Sequence, residues 1–201
     1  MKQHIGATLL STIDRNLLTM STRRHYERGD FLKRAGEPFN SFCILESGTV
    51  KLIYEDAELP SVIIDLYHAG DFFGEMEAIK MRTEDRSIIA LTPCELYEFT
   101  SEQFFLLWNT CNAFSRYIFS VVCDRLLRSG NDKIHTECMV LREKVFRIIQ
   151  ENLSESNYFL YTKDILAEMA GTSIRSLNRA LAELKELKLI SISSGTIRLR
   201  L

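Results

Sequence analysis

The chain has 201 residues, a formal net charge of −2, a hydrophobic fraction of 46% and a charged fraction of 26%, the proportions of an ordinary globular protein with room for one large domain or two small ones. Its five cysteines, at 43, 94, 111, 123 and 138, are odd in number and form no C-x-x-C pair, which argues against a disulfide framework, a zinc site or an iron–sulfur cluster, so no metal and no cofactor is expected. The start lacks a signal-peptide pattern, and the most apolar stretch, 104–123, is interrupted by Asn109, Asn112, Arg116 and other polar residues; the reading is a cytoplasmic chain without a membrane partner.

From Tyr26 to Phe99 the sequence is a succession of short strand-like runs. SFCILESGTVKLIY, SVIIDLYHAGDFFGE and SIIALTPCELYEF alternate with glycine-bearing turns at Gly29, Gly36, Gly48, Gly70 and Gly74. Short strands with a turn signal every ten or so residues predict an antiparallel roll or jelly-roll, and the turn glycines are expected to supply positive φ angles.

At Thr100 the period changes. From Ser101 the run FFLLWNTCNAFSRYIFSVVCDRLLR carries neither glycine nor proline and predicts one long helix, ended by Ser129-Gly130-Asn131-Asp132. Leu107, Cys111, Phe114, Ile118, Val121, Val122 and Arg125 recur at three- and four-residue steps and are taken as the seam of a homodimer. A second apolar set, Phe105, Trp108, Phe119 and Leu126, widens the stripe, so the helix is expected to serve both the β domain and a twin helix.

LREKVFRIIQENL then reads as an amphipathic helix, and YTKDILAEMAGTSIRSLNRALAEL as helix, turn and helix. Each position in that turn has a steric reason. Thr162 caps the first helix, Ala167 is small where a second helix crosses, Gly171 takes a left-handed conformation and Ser173 caps the second helix. On that second helix Leu177, Ala180, Leu181 and Leu184 share one face, while Arg175, Arg179 and Ala182 lie opposite at 100° per residue.

Arginine can donate two bonds to guanine and asparagine can pair with adenine when such a helix enters the major groove N-terminus first. Arg175, Asn178 and Arg179 are therefore the expected base readers, with Thr162, Lys163, Ser173 and Ser176 on phosphates. LISISSGTIRLR closes the chain as a winged hairpin turning at Ser194-Gly195. Residues 136–201 carry 10 basic and 8 acidic side chains on a chain that is otherwise acidic, a leaning that suits a nucleic-acid partner. The sequence shows no phosphate-binding glycine loop, nucleophile motif or paired His/Glu motif, so no catalytic residue is assigned and an enzyme is not expected.

A β-roll, a seam-bearing helix and a C-terminal winged helix-turn-helix, in that order, resemble the Crp/Fnr family of bacterial transcription regulators. GDFFGE at 70–75, ALTPCEL at 90–96 and GTSIRSLNRAL with LKELKLIS carry the resemblance over nearly the full length. It implies an α+β fold with a cyclic-nucleotide-binding-like β-roll at 1–100 (including an N-terminal helix), a dimerisation helix at 101–130 and a DNA-binding domain at 131–201. It also implies a homodimer on a pseudo-palindromic duplex operator; contacts with RNA polymerase are a further partner of activators in the family, and no residues for them carry over.

In nucleotide-binding members a glutamate of the turn holds the ribose hydroxyl, and an Arg-Ser pair holds the cyclic phosphate. Gly74, Glu75, Arg86 and Ser87 supply that set here, yet counting back from ALTPCEL the pair should fall on Glu84 and Asp85. A two-residue displacement moves an arginine about 7 Å along a strand, and two acids at the vacated position repel phosphate. The effector is thus expected to be something other than cyclic AMP. Two alternatives stay open: a cyclic-nucleotide-dependent regulator of the same fold, and a protein-interaction module that has lost DNA binding.

Overall fold

The structure is a computed structural model that describes residues 18–55, 61–79 and 85–200, with side chains described except at 131–138. The expected N-terminal helix lies outside the described residues. The described residues divide into two compact units, one of residues 18–55 and 64–127 and the other of residues 128–200 with the short segment 61–63.

The first unit holds eight strands: β1 (Thr22–Tyr26), β2 (Phe31–Lys33), β3 (Ser41–Ser47), β4 (Thr49–Tyr54), β5 (Val62–His68), β6 (Phe72–Phe73), β7 (Arg86–Ala90) and β8 (Cys94–Thr100). They form two four-stranded sheets, ordered β1-β8-β3-β6 and β2-β7-β4-β5. A four-residue helix, α1 (Glu75–Ala78), follows β6. The five turn glycines singled out in the sequence all have positive φ.

Alternation along β3 organises the layers. Cys43 and Leu45 join Val50, Leu52, Ile88 and Leu96 in the core of the sandwich, whereas Phe42 and Ile44 point the other way, into a cluster with Phe72, Phe99, Phe104 and Phe114. Phe42 sits at the centre of that second cluster, with ring centroids 5.0 Å from Phe104, 5.6 Å from Phe72 and 5.7 Å from Phe114. Each fully buried ring of this kind is worth about 1.5–3 kcal/mol over its exposed state.

Two features of the helical run differ from the sequence reading. It is broken in two: α2 (Ser101–Thr110) and α3 (Asn112–Cys138) meet at Cys111, whose backbone is extended. The stretch Asn109–Asn112 is built of weak helix formers, and Thr110 Oγ1 donates back to the Leu106 carbonyl at 2.7 Å, a bond that slightly destabilises and bends helices. The second difference is length. α3 continues through Ser129-Gly130-Asn131-Asp132 to Cys138, because Gly130 stays out of the left-handed region and a lone helical glycine costs only about 1 kcal/mol. The start is sharp, with Thr100 Oγ1 accepting from the Gln103 N–H and Gln103 Oε1 accepting from the Thr100 N–H, a reciprocal cap.

The second unit comprises α4 (Leu141–Glu151), α5 (Lys163–Ala170), α6 (Ile174–Glu186) and the hairpin β9 (Ile190–Ser193) with β10 (Thr196–Leu199). Its core gathers Val145, Ile149, Leu166, Ala167, Leu177, Leu181 and Leu184 with Ile190 and Ile197. The mixed α+β architecture is the one the sequence predicts, and among the described residues no helix is long and apolar enough to cross a membrane.

Candidate nucleic-acid interface and effector site

α5 and α6 are joined by a turn whose geometry follows from three residues. Thr162 Oγ1 accepts from the Ile165 N–H at 3.4 Å and opens α5. Gly171, at φ 61° and ψ 44°, closes it, with the Gly171 N–H on the Glu168 carbonyl and the Thr172 N–H on the Ala167 carbonyl, the paired bonds of a Schellman stop. Ser173 Oγ then accepts from the Ser176 N–H at 3.2 Å and opens α6. A side chain at Gly171 would have to enter the left-handed region, so Gly171→Ala is expected to destabilise this unit by about 1–2 kcal/mol, read as a lower denaturant midpoint at unchanged slope.

α6 is two-faced as predicted. Leu177, Ala180, Leu181 and Leu184 are buried against α4 and α5, while Arg175, Asn178, Arg179 and Ala182 are exposed. Among the described residues neither Arg175 nor Arg179 is paired with a carboxylate; the α6 acid that does bond, Glu183, is taken by Arg142 of α4 at 3.5 Å. Thr162 and Ser173 are exposed, and Lys163 and Ser176 half-buried. Ile174 is 41% exposed.

The hairpin turns at Ser194-Gly195, both at positive φ, as two-residue hairpin turns require. One element escaped the sequence reading. Residues 153–159 lie along the hairpin, with the Phe159 N–H on the Ile197 carbonyl at 2.8 Å and Tyr158 bridged to Arg198. The only sequence signal for it is Asn157, a residue that tolerates the left-handed backbone it adopts there (φ 58°).

The residues taken as a dimer seam fall differently. Leu107 of α2, and Phe114, Ile118 and Val121 of α3, are buried in this chain's own core against Phe42, Phe72 and Phe99, with Cys111 packed beside them. They are spent on the β-roll. The row one residue further round α3 is the one left outward: Phe119 is 64% exposed, Val122 37% and Leu126 73%. Of the seven residues expected at the seam, Val122 alone belongs to this outward row.

Arg125 is also turned inward, and it meets a residue from a different expectation. Its Nη1 lies 3.1 Å from Glu75 Oε1 and its Nη2 donates to the Phe72 carbonyl at 2.7 Å. Burial pushes the Glu75 carboxyl above its ordinary pKa, and Arg125 pulls it back.

The remaining effector-site expectations are placed as follows. Gly74 has φ 85° and packs so closely that a Cβ there would sit 2.1 Å from the Ser41 carbonyl oxygen, so its role is backbone fit. Arg86 pairs in register with Tyr54 and Ser87 with Ile53. Ser87 is fully buried, accepts from the Ala35 N–H at 2.8 Å and donates to the Glu55 carboxylate. Arg86 lies 3.7 Å from Asp85, and its buried Nε has no hydrogen-bond partner among the described residues; Glu84 lies outside the described residues. Among the described residues Glu75 is engaged by Arg125 and Ser87 by Glu55, while Arg86 keeps a buried Nε without a partner.

Comparison with known proteins matches this architecture. Residues 23–111 match the cyclic nucleotide-binding domain family. The CRP-like protein Clp of Xanthomonas campestris is 31% identical over 101 residues, a match that spans 49% of this chain and 43% of the relative. A structure of Clp from Xanthomonas campestris, there described as a c-di-GMP responsive global regulator, superposes with a TM-score of 0.82 at 22% identity over 92% of this chain and 99% of that one. A Crp/Fnr-family transcriptional regulator from Eubacterium rectale superposes with a TM-score of 0.78 at 15% identity, over 96% and 93% of the two chains. Residues 23–111 thus carry a cyclic nucleotide-binding domain, the matched curated relatives are spanned over less than half their length, and the chain has the fold of the Crp/Fnr-type regulators it superposes on.

Proposed function

We propose that the chain is a sequence-specific DNA-binding transcription regulator that acts as a homodimer on a pseudo-palindromic operator. The observation that carries this reading is the outer face of α6, where Arg175, Asn178 and Arg179 are exposed and the two guanidinium groups are unpaired among the described residues. Unpaired arginines on a capped, rigid helix are an arrangement that stability does not need and base recognition does. In this reading the capping residues Thr162 and Ser173, with Lys163 and Ser176, face phosphates, and Arg198 and Arg200 of the hairpin lie along the backbone. The outward row of α3 supplies the contact between copies, since Phe119, Val122 and Leu126 follow the three- and four-residue steps of a two-helix seam.

Selection of bound sequences from random duplexes tests this directly. The expected result is a pseudo-palindrome whose half-sites are centred one helical turn apart, about 10 base pairs, bound with an affinity that falls steeply with salt. Recovery of no enriched sequence at low salt from a folded dimer would overturn the reading.

A further inference from the structure

Arg125 stands on α3 one turn past Val121, and its guanidinium is met on every side by groups of the β-roll. Glu75 accepts from Nη1 at 3.1 Å, the Phe72 carbonyl accepts from Nη2 at 2.7 Å, and the cation lies over the rings of Phe72 at 4.5 Å and Tyr67 at 4.9 Å. The side chains of both members of the ion pair are only 16% exposed. A carboxylate, a carbonyl and two aromatic faces are the partners a planar cation needs to leave water without loss. The roll thus holds a guanidinium in the manner of a ligand, and the helix delivers it.

The neighbouring groups are satisfied from within as well. Glu77, the other acid of α1, is paired with Lys33 at 3.2 Å in the sandwich interior, and the Ser87 hydroxyl is committed to Glu55 and to the Ala35 N–H. Glu75, the one group suited to a ribose hydroxyl, is already engaged.

We infer that Arg125 is an internal ligand of the β-roll: it takes the acid that the family pattern reserves for a nucleotide, and so fastens α3 to the roll with no cyclic mononucleotide bound. Operator binding then needs no such effector. This goes beyond the proposed function, on which its operator measurement rests; the melting and nucleotide measurements are independent of it.

The test uses the full chain. Cyclic AMP and cyclic GMP, each titrated calorimetrically into the wild type, are expected to give no saturable heat and no rise in melting temperature; saturable binding that raises the melting temperature overturns the inference. In Arg125→Ala the melting temperature is expected to drop and operator affinity to fall about tenfold or more. About 10 mM methylguanidinium should restore part of the melting temperature, where sodium chloride at equal ionic strength does not, by refilling the vacated position. Arg125→Lys should recover little, since a point charge cannot bridge the carboxylate and the carbonyl together. A folded Arg125→Ala protein that ignores methylguanidinium, or that matches the wild type in melting temperature, makes Arg125 an ordinary surface charge and overturns the assignment. Failure of the wild type to bind any duplex would instead count against the DNA reading, with the melting response still deciding the role of Arg125.

Discussion

Arg175→Ala and Arg179→Ala are each expected to lose about 1–3 kcal/mol of operator affinity, or about 5- to 150-fold, with melting temperature unchanged. The asymmetry between the two readouts is the informative part. Both side chains are exposed and neither is ion-paired among the described residues, so truncation removes no intramolecular contact and stability should stay within about 0.5 kcal/mol. Each variant should also relax sequence preference at a single position of the half-site. Lys163→Ala should behave differently, weakening binding evenly across sequences and flattening the salt dependence by about one unit of slope. Fluorescence anisotropy on the selected operator and on single-base variants measures all of this. Equal loss on every sequence for Arg175→Ala would assign that arginine to the phosphate backbone.

The second large effect concerns assembly. Phe119→Glu combined with Leu126→Glu is expected to give a monomer by sedimentation, still folded, because these side chains are 64% and 73% exposed in the chain and contribute nothing to its own core. Operator affinity should fall by about two to four orders of magnitude, the gain that simultaneous engagement of two half-sites confers. Ile118→Glu makes the contrasting control: Ile118 is 2% exposed within the aromatic cluster, and the same change there should unfold the β unit by placing a charge in an apolar core. If the Phe119/Leu126 variant remained a dimer, α3 would not be the contact between copies.

Much of this was legible in the sequence where local chemistry decides the outcome. The turn glycines marked the strand corners because tight turns need positive φ, and Gly171 marked the helix stop for the same reason. The two faces of α6 were legible because buried Leu177, Leu181 and Leu184 repeat at helical spacing. What stayed hidden depends on contacts distant in sequence. α3 carries two apolar rows a single residue apart, 114/118/121 and 119/122/126, and hydropathy alone cannot say which meets the sheet; the Phe42 cluster makes that choice. The break at Cys111 falls among weak helix formers that tolerate a helix elsewhere. The link between Glu75 and Arg125 spans 50 positions and leaves no local mark, so the two residues entered as members of separate sites.

Gly130 carries a consequence for how the long helix persists. Past Arg125 the side chains from Leu126 to Gly130 are exposed, and that span bears a glycine, which costs a helix about 1 kcal/mol relative to alanine. Nothing in the described packing of those five residues compensates. If copies pair along this helix as proposed, a second molecule alongside would support helical order there, and chain pairing and the straightness of this rod would form a single equilibrium that dilution shifts.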